Sequence, residues 1–426
     1  MDRLTAEELA DYLIEIGGTL VSYGCPSYRL EALVALVAEH EGLKAQAFAM
    51  PTGLFVSVTD TDMTPLPSER HPDVGSLPPP RIAPILRMVR VKEWGTNLDR
   101  LVAVDEIFND AADKKISIRE ARRRLHALRR APNAYPVALS WIASAVAAGA
   151  AAVFFRGGAF EVAVSALTGL VAFGFAQAIG KNPSARFLID FVGGVIAAAM
   201  AWGASRVHAD ASREVIVLSG VIAVIPGMTL TTGLAELAQR NLVAGGARLM
   251  EAFVAFLSII FGIALLLGFQ HIAGVSPSYA ASTRHGLGLG WQAGALVAAS
   301  LAFAVLFAVP RRYVWAAVVS GAIGYVATSL GTRHLPGHVA AFAAALAICL
   351  FSNASARATN RPAQMFQLPG MMLLVPGSFG FLSLEDFLRG AYLDGAAKAF
   401  SMILIAGALV TGVLVANVVL PARKVL

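Results

Sequence analysis

The residues best suited to chemistry fall into two matched sets. Pro226 and Gly227 interrupt an apolar run, and Pro376 and Gly377 interrupt another 150 residues later. Proline removes a backbone donor and glycine tolerates unusual backbone angles, so a membrane helix carrying both tends to kink or open. Opened backbone at membrane depth is stable only where it is buried in protein or lines a cavity. Thr229, Thr231 and Thr232 bring hydroxyls to the first break, and Ser378 brings one to the second. Hydroxyls beside freed amides and carbonyls suit a small zwitterion, whose ammonium needs acceptors and whose carboxylate needs donors. Two plainer readings stand beside this one: kinks that serve packing alone, and threonines bonded back to the preceding helical turn. Because the break recurs at the corresponding place in both halves, we expect a substrate site built from Pro226, Gly227, Thr229, Thr231, Thr232, Pro376, Gly377 and Ser378.

Ionisable residues in or beside apolar segments form the second signal: Glu161, Asp190, Glu214, Arg248, Glu251 and Lys398. A charge near the bilayer centre is costly, so one that is retained tends to face the protein interior and to have a role. Asp190 and Glu251 lie about one turn inside their segments and are the proton-coupling candidates. Glu161 and Glu214 stand at segment starts and read as interfacial charges. Glu236 and Arg248, twelve residues apart, are matched by Asp386 and Lys398 at the same spacing. Such duplicated pairs fit gates that break alternately at opposite faces, or else solvated loop charges.

These residues need elements to hold them. The chain is 57% hydrophobic and 15% charged, with a mean hydropathy of +0.65, which excludes a soluble protein of 426 residues. Ten segments approach the roughly 20 apolar residues that a crossing needs: 137–155, 159–180, 187–205, 214–234, 246–271, 291–309, 313–331, 337–353, 365–382 and 396–419. The 150-residue offset pairs Glu236 with Asp386, Gly245 with Gly395, Arg248 with Lys398, Gly262 with Gly412 and Trp141 with Trp291. That is an internal duplication. Five crossings per copy is an odd number, so the second copy enters in the opposite sense. The fold class expected is an all-α integral membrane protein of about ten transmembrane helices in two inverted five-helix repeats, residues 137–271 and 291–420, preceded by a small α+β cytoplasmic domain, residues 1–130.

In that domain, capping boxes at Thr5/Glu8 and Ser117/Glu120 open amphipathic helices, and 43–50, 54–59 and 82–91 read as strands. A Pro-rich loop is expected over 60–80. Cys25 with His40 or His71 has no recognisable nucleophile signature, and no phosphate loop occurs, so neither catalysis nor an ATPase is expected. Two cysteines imply no disulfide framework, and the histidines lack metal-ligand spacing, so no metal or cofactor is expected. The net charge of +6 owes much to Arg119, Arg122, Arg123, Arg124, Arg129 and Arg130, just ahead of the first crossing. That position marks a positive-inside anchor rather than a nucleic-acid site. The N-terminus lacks the order of a cleaved signal peptide.

YGCPSYRLEALVALVAEHEGLKAQAFAMPTGLFVSV, SIREARRRL, IPGMTLTTGLAEL, GGARLMEAF and LPGMMLLVPGSFGF, in that order, resemble the bacterial threonine/serine exporter family over nearly the whole chain. The resemblance implies an inner-membrane secondary exporter of small hydroxylated amino acids, driven by the proton motive force. It also implies a cytoplasmic N-terminal domain ahead of two five-helix modules. Its partners are then threonine or serine, protons and the lipid bilayer, with homo-oligomerisation left open. Two-component relatives are associated with succinate export, so a dicarboxylate exporter with Arg248 and Lys398 as ligands is the alternative. A membrane-anchored enzyme is the alternative from another class, and an anchor needs no inverted repeat.

Overall fold

A computed structural model of the chain describes residues 5–60, 84–92, 95–182, 185–222, 224–272, 286–388 and 390–422. The chain divides into two compact units. One is the N-terminal part up to Pro132 together with Gln239–Ala244, and the other comprises Asn133–Ala238 and the chain from Gly245 onward. The Pro-rich loop expected over 60–80 lies almost entirely outside the described residues.

The N-terminal unit holds α1 (Ala6–Ser22), α2 (Ser27–His40), β1 (Leu43–Met50), β2 (Gly53–Asp60), β3 (Ile85–Arg90), α3 (Leu98–Ala112) and α4 (Ile118–Arg130). The box at Thr5 and Glu8 starts α1 in both directions, whereas at α4 Ser117 caps and Glu120 turns to Arg123 and Arg124. Leu9, Leu13, Ile16 and Leu20 recur every three or four residues along α1 and are fully buried. They meet the alternate residues Leu54, Val56 and Val58 of β2, also buried, so one face of the sheet makes the core. The sheet order is β1-β2-β3, antiparallel throughout, and the first hairpin turns at Pro51 and Thr52. Gly17 eases the crossing of α1 over β2, where a β-carbon would displace the end of the Leu54 side chain.

The second unit is helical. Its first half runs α5 (Val137–Phe154), α6 (Ala159–Gly180), α7 (Ile189–Val207), α8 (Arg213–Gly220), α9 (Gly227–Ala238) and α10 (Leu242–Ile272). Its second half runs α11 (Leu289–Leu306), α12 (Val314–His334), α13 (Gly337–Thr359), α14 (Gln364–Met372), α15 (Gly377–Leu388) and α16 (Tyr392–Val419). Among the described residues nine segments are long and apolar enough to cross a membrane, where ten were expected. The difference lies at 214–234. That segment includes residue 223, outside the described residues; both Pro-Gly segments are divided in the same way, 214–234 into α8 and α9 and 364–387 into α14 and α15, with Pro226 and Pro376 just before the second helix of each.

Small residues set the packing. Ala143, Ala147 and Ala150 of α5 face Ala295, Ala299 and Ala302 of α11, letting two backbones approach closely without bulky side chains between them. The duplication reappears as repeated contacts. Gly262 of α10 sits against the backbone of Phe191 and Val195 in α7, and Gly412 of α16 sits against the backbone of Phe342 and Leu346 in α13. Gly245 packs on Gly233 and Leu237, and Gly395 packs on Ser383 and Phe387. Gly220 meets Thr168, and Gly370 meets Ser320.

Candidate substrate cavity and paired charges

Each Pro-Gly pair stands at the start of a helix, with Pro226 and Pro376 just before α9 and α15. The two starts meet. A β-carbon on Gly227 would collide with Val375 and lie 3.5 Å from the Gly377 α-carbon. One on Gly377 would collide with Ile225 and lie 3.6 Å from the Gly227 α-carbon. Ile225 and Val375 are themselves counterparts at the 150-residue offset, so the contact is reciprocal. Reciprocal contact between equivalent patches is the signature of a local two-fold relation. Only glycine allows this approach.

Beside the meeting point lies a cavity of about 260 Å³. Gly227, Gly377 and Ser378 line it, with apolar walls from α5 and α11. Its remaining polar groups come from α12: Tyr325, Thr328 and Ser329. Tyr325 donates to Gln292 Oε1 at 2.8 Å, while the buried Thr328 hydroxyl has no partner. A buried hydroxyl left unsatisfied is costly, which suits a position that a ligand completes. Among the described residues no lysine or arginine lines the cavity. Gly227 and Gly377, the first residues of α9 and α15, bring two helix N-termini to its wall, where the helix dipole favours an anionic group, although the Gly227 amide itself donates to the Ile225 carbonyl at 2.8 Å.

The other expected contacts lie elsewhere. Thr231 donates to the Gly227 carbonyl at 3.0 Å, the back-bonded alternative. Thr229, Thr232, Pro226 and Pro376 do not line the cavity. Tyr325, Thr328 and Ser329 were missed because α12 carries no break and its hydroxyls look like ordinary helix residues. Their spacing on one face of an apolar helix was the available signal.

The acid and base of each duplicated pair meet. Arg248 Nε lies 3.3 Å from Glu236 Oε1, with the glutamate side chain fully buried and the arginine 13% exposed. Lys398 Nζ lies 2.6 Å from Asp386 Oδ2, at 37% and 14% exposure. Twelve residues span the end of one helix, a turn and the first turns of the next, which carries an acid and a base to facing positions. Both pairs stand outside the cavity lining. Asp190 and Glu251 are half-buried on α7 and α10, two helices that touch at Phe191 and Gly262, and lie within electrostatic reach of each other. Glu161, read as interfacial, is instead fully buried at the start of α6 and accepts from the amides of Gly158 at 2.9 Å and Ser212 at 3.0 Å. There it ties the α5–α6 turn to the start of α8.

Comparison with known proteins decides the family. Residues 11–270 match the family described as "Putative threonine/serine exporter", and residues 292–419 match "Threonine/Serine exporter, ThrE". The chain belongs to the threonine/serine exporter family. It is a multi-pass protein of a membrane transport family. Curated relatives include an uncharacterized protein of Schizosaccharomyces pombe, 24% identical over 60% of this chain and 32% of its own length. "Pheromone-regulated membrane protein 10" of Yarrowia lipolytica is 27% identical over 60% of the chain and 20% of its own length. The protein of that name in Pichia sorbitophila is 23% identical over 89% of the chain and 37% of its own length. The chain therefore spans between a fifth and two fifths of these relatives. No solved structure matches it.

Proposed function

We propose that this exporter-family protein carries threonine, serine or a close hydroxylated amino acid out of the cytoplasm across a bacterial inner membrane, by alternating access between two inverted five-helix modules. The observation that supports this most is the cavity at the meeting of the two Pro-Gly helix starts. The N-termini of α9 and α15 receive the substrate carboxylate. Thr328, Ser329 and Ser378 receive its ammonium and hydroxyl. The cavity, at about 260 Å³, falls just below the usual range for drug-sized ligand sites, which suits an amino acid with a short side chain.

Asp190 and Glu251 form the proton pathway, one exchanging a proton as the modules rock. Glu236–Arg248 and Asp386–Lys398 latch opposite faces in turn. The N-terminal domain lies on the cytoplasmic side, as the basic run ahead of α5 favours. The test is counterflow in proteoliposomes of the purified protein, preloaded with unlabelled threonine, serine or succinate and offered the labelled compound outside. Exchange of threonine or serine without succinate supports the reading. Exchange of succinate alone rejects it, as does exchange of none of the three.

A further inference from the structure

The cavity where the two helix starts meet has one wall whose position depends on a residue outside it. Tyr325 and Phe154 both line the cavity, their ring centres 6.1 Å apart. The Tyr325 hydroxyl donates to Gln292 Oε1 at 2.8 Å, and Gln292 Nε2 donates in turn to the Leu287 carbonyl at 3.4 Å. Gln292 lies in the first turn of α11 and is not among the described lining residues, while Leu287 stands two residues before that helix. The amide thus uses both ends, one anchored to backbone and the other holding a side chain. A half-buried phenol needs a partner for its hydroxyl, and Tyr325 finds one beyond the cavity lining.

That bond decides where the ring stays. A ring held at its far end cannot change its side-chain angles freely, whereas an untethered one hops among staggered rotamers. Other wall residues have no such freedom. Ala147 and Ala299 sit in the seam between α5 and α11, each 2% exposed, and a methyl group has nothing to withdraw. The aromatic end is therefore the adjustable boundary. In the register that matches Thr168 with Ser320, the first module has Phe173 at this position, with no hydroxyl to hold. The tether belongs to the second module, as the cavity hydroxyls of α12 do.

We propose that Gln292 is a positioning residue that fixes the Tyr325 ring and thereby sets the largest side chain the cavity accepts. The proposal rests on the reading of this cavity as the substrate site. With the ring fixed, a short hydroxylated side chain fits, and a longer branched one such as that of leucine meets the ring. Added bulk against a wall that cannot yield is costly, so the refusal comes from rigidity.

The test is counterflow with the full chain in proteoliposomes, comparing labelled leucine with labelled threonine. Gln292→Met removes the acceptor at nearly constant length, and Tyr325→Phe removes the donor while keeping the ring. Each should raise the leucine-to-threonine ratio of initial rates about tenfold, the low end of what a pocket achieves against one extra methylene. The ratio is taken on one preparation, so it does not depend on how much protein folds. The double variant should stay within about twofold of either single variant, because both changes break the same bond. Effects that multiply in the double variant overturn the proposal, since the two residues would then act separately. An unchanged ratio in either single variant overturns it as well. If Thr328→Val still impairs threonine exchange in that case, the cavity reading stands without this proposal; if Thr328→Val is harmless, both fall. Failure of the unaltered chain to exchange threonine overturns both.

Discussion

The two membrane modules share their packing and differ in their polar equipment. The register that sets Phe191 against Gly262 sets Phe342 against Gly412, so Asp190 corresponds to Ala341 and Glu251 to Ser401. The carboxylates belong to the first module alone. In the other direction, the register that matches Thr168 to Ser320 matches Phe173 to Tyr325 and Ala176 to Thr328. The cavity hydroxyls of α12 thus belong to the second module alone. Backbone approach, glycine contacts and ion-pair spacing have stayed symmetric, while the groups suited to protons and to substrate have separated between the copies. Alternating access demands the first kind of likeness, since each module must adopt the conformation of the other. Chemistry makes no such demand.

The largest effect expected tests the symmetric part. Gly227→Val and Gly377→Val each force side-chain atoms into the facing turn, and we expect each to cost about 1–3 kcal/mol of stability and to abolish counterflow. Equal losses sustain the two-fold relation; tolerance of one substitution and not the other breaks it. Thermal unfolding and counterflow on the same preparations measure both.

Next come the unshared carboxylates. Asp190→Asn or Glu251→Gln should reduce gradient-driven export about tenfold or more while leaving counterflow within about twofold, because exchange needs no net proton movement. Ser401→Ala, at the position matching Glu251, should change neither. If both carboxylate variants retain full gradient-driven export, the proton assignment is wrong.

The paired charges sharpen the comparison further, since they are duplicated but differ in burial. A double-mutant cycle across Glu236 and Arg248 should give a coupling of about 1–3 kcal/mol, as the glutamate is fully buried. The same cycle across Asp386 and Lys398 should give less than about 1 kcal/mol, because a lysine 37% exposed is partly screened by solvent. Similar couplings would argue that solvent reaches both pairs equally.

The smallest effect lies outside both modules and serves as their reference. Arg119, 3.3 Å from Glu8, and the Thr5 amide lower the Glu8 carboxyl below its ordinary value of 4.5. A lowered carboxyl stabilises the fold above its unfolded-state value, and that stability is lost as pH falls through the folded value. Glu8→Gln, which stands in for the protonated carboxyl, should therefore lower the stability of the N-terminal unit slightly at neutral pH and make no difference once pH has fallen below the folded value. A loss that persists undiminished at acidic pH would contradict the cause given.

How much of this was legible follows from what each residue type reveals alone. Pro and Gly announce a break in an apolar run without any partner, so Pro226-Gly227 and Pro376-Gly377 stood out at once, as did the acid and base twelve residues apart. The α1 box at Thr5 and the hairpin at Pro51 are local signals of the same kind. What needed the fold was everything set by a distant neighbour. Thr231 was indistinguishable from a ligand until its hydroxyl was seen on the Gly227 carbonyl. Thr328 was indistinguishable from a back-bonded helix threonine until its hydroxyl was seen unpartnered in the cavity. Glu161 was read from its place at a segment start, while its burial depends on the Ser212 amide 51 residues away.

In the proposed mechanism, substrate binds where the two helix starts meet. The most direct test is Ser378→Cys in a chain whose two cysteines, Cys25 and Cys349, are replaced by alanine. The rate of alkylation by a small permeant reagent is then followed in proteoliposomes with and without threonine. Threonine should slow alkylation in proportion to its occupancy, and an amino acid that fails to exchange in counterflow should not. Alkylation at one unchanging rate, in protein that still exchanges threonine, would place the substrate elsewhere.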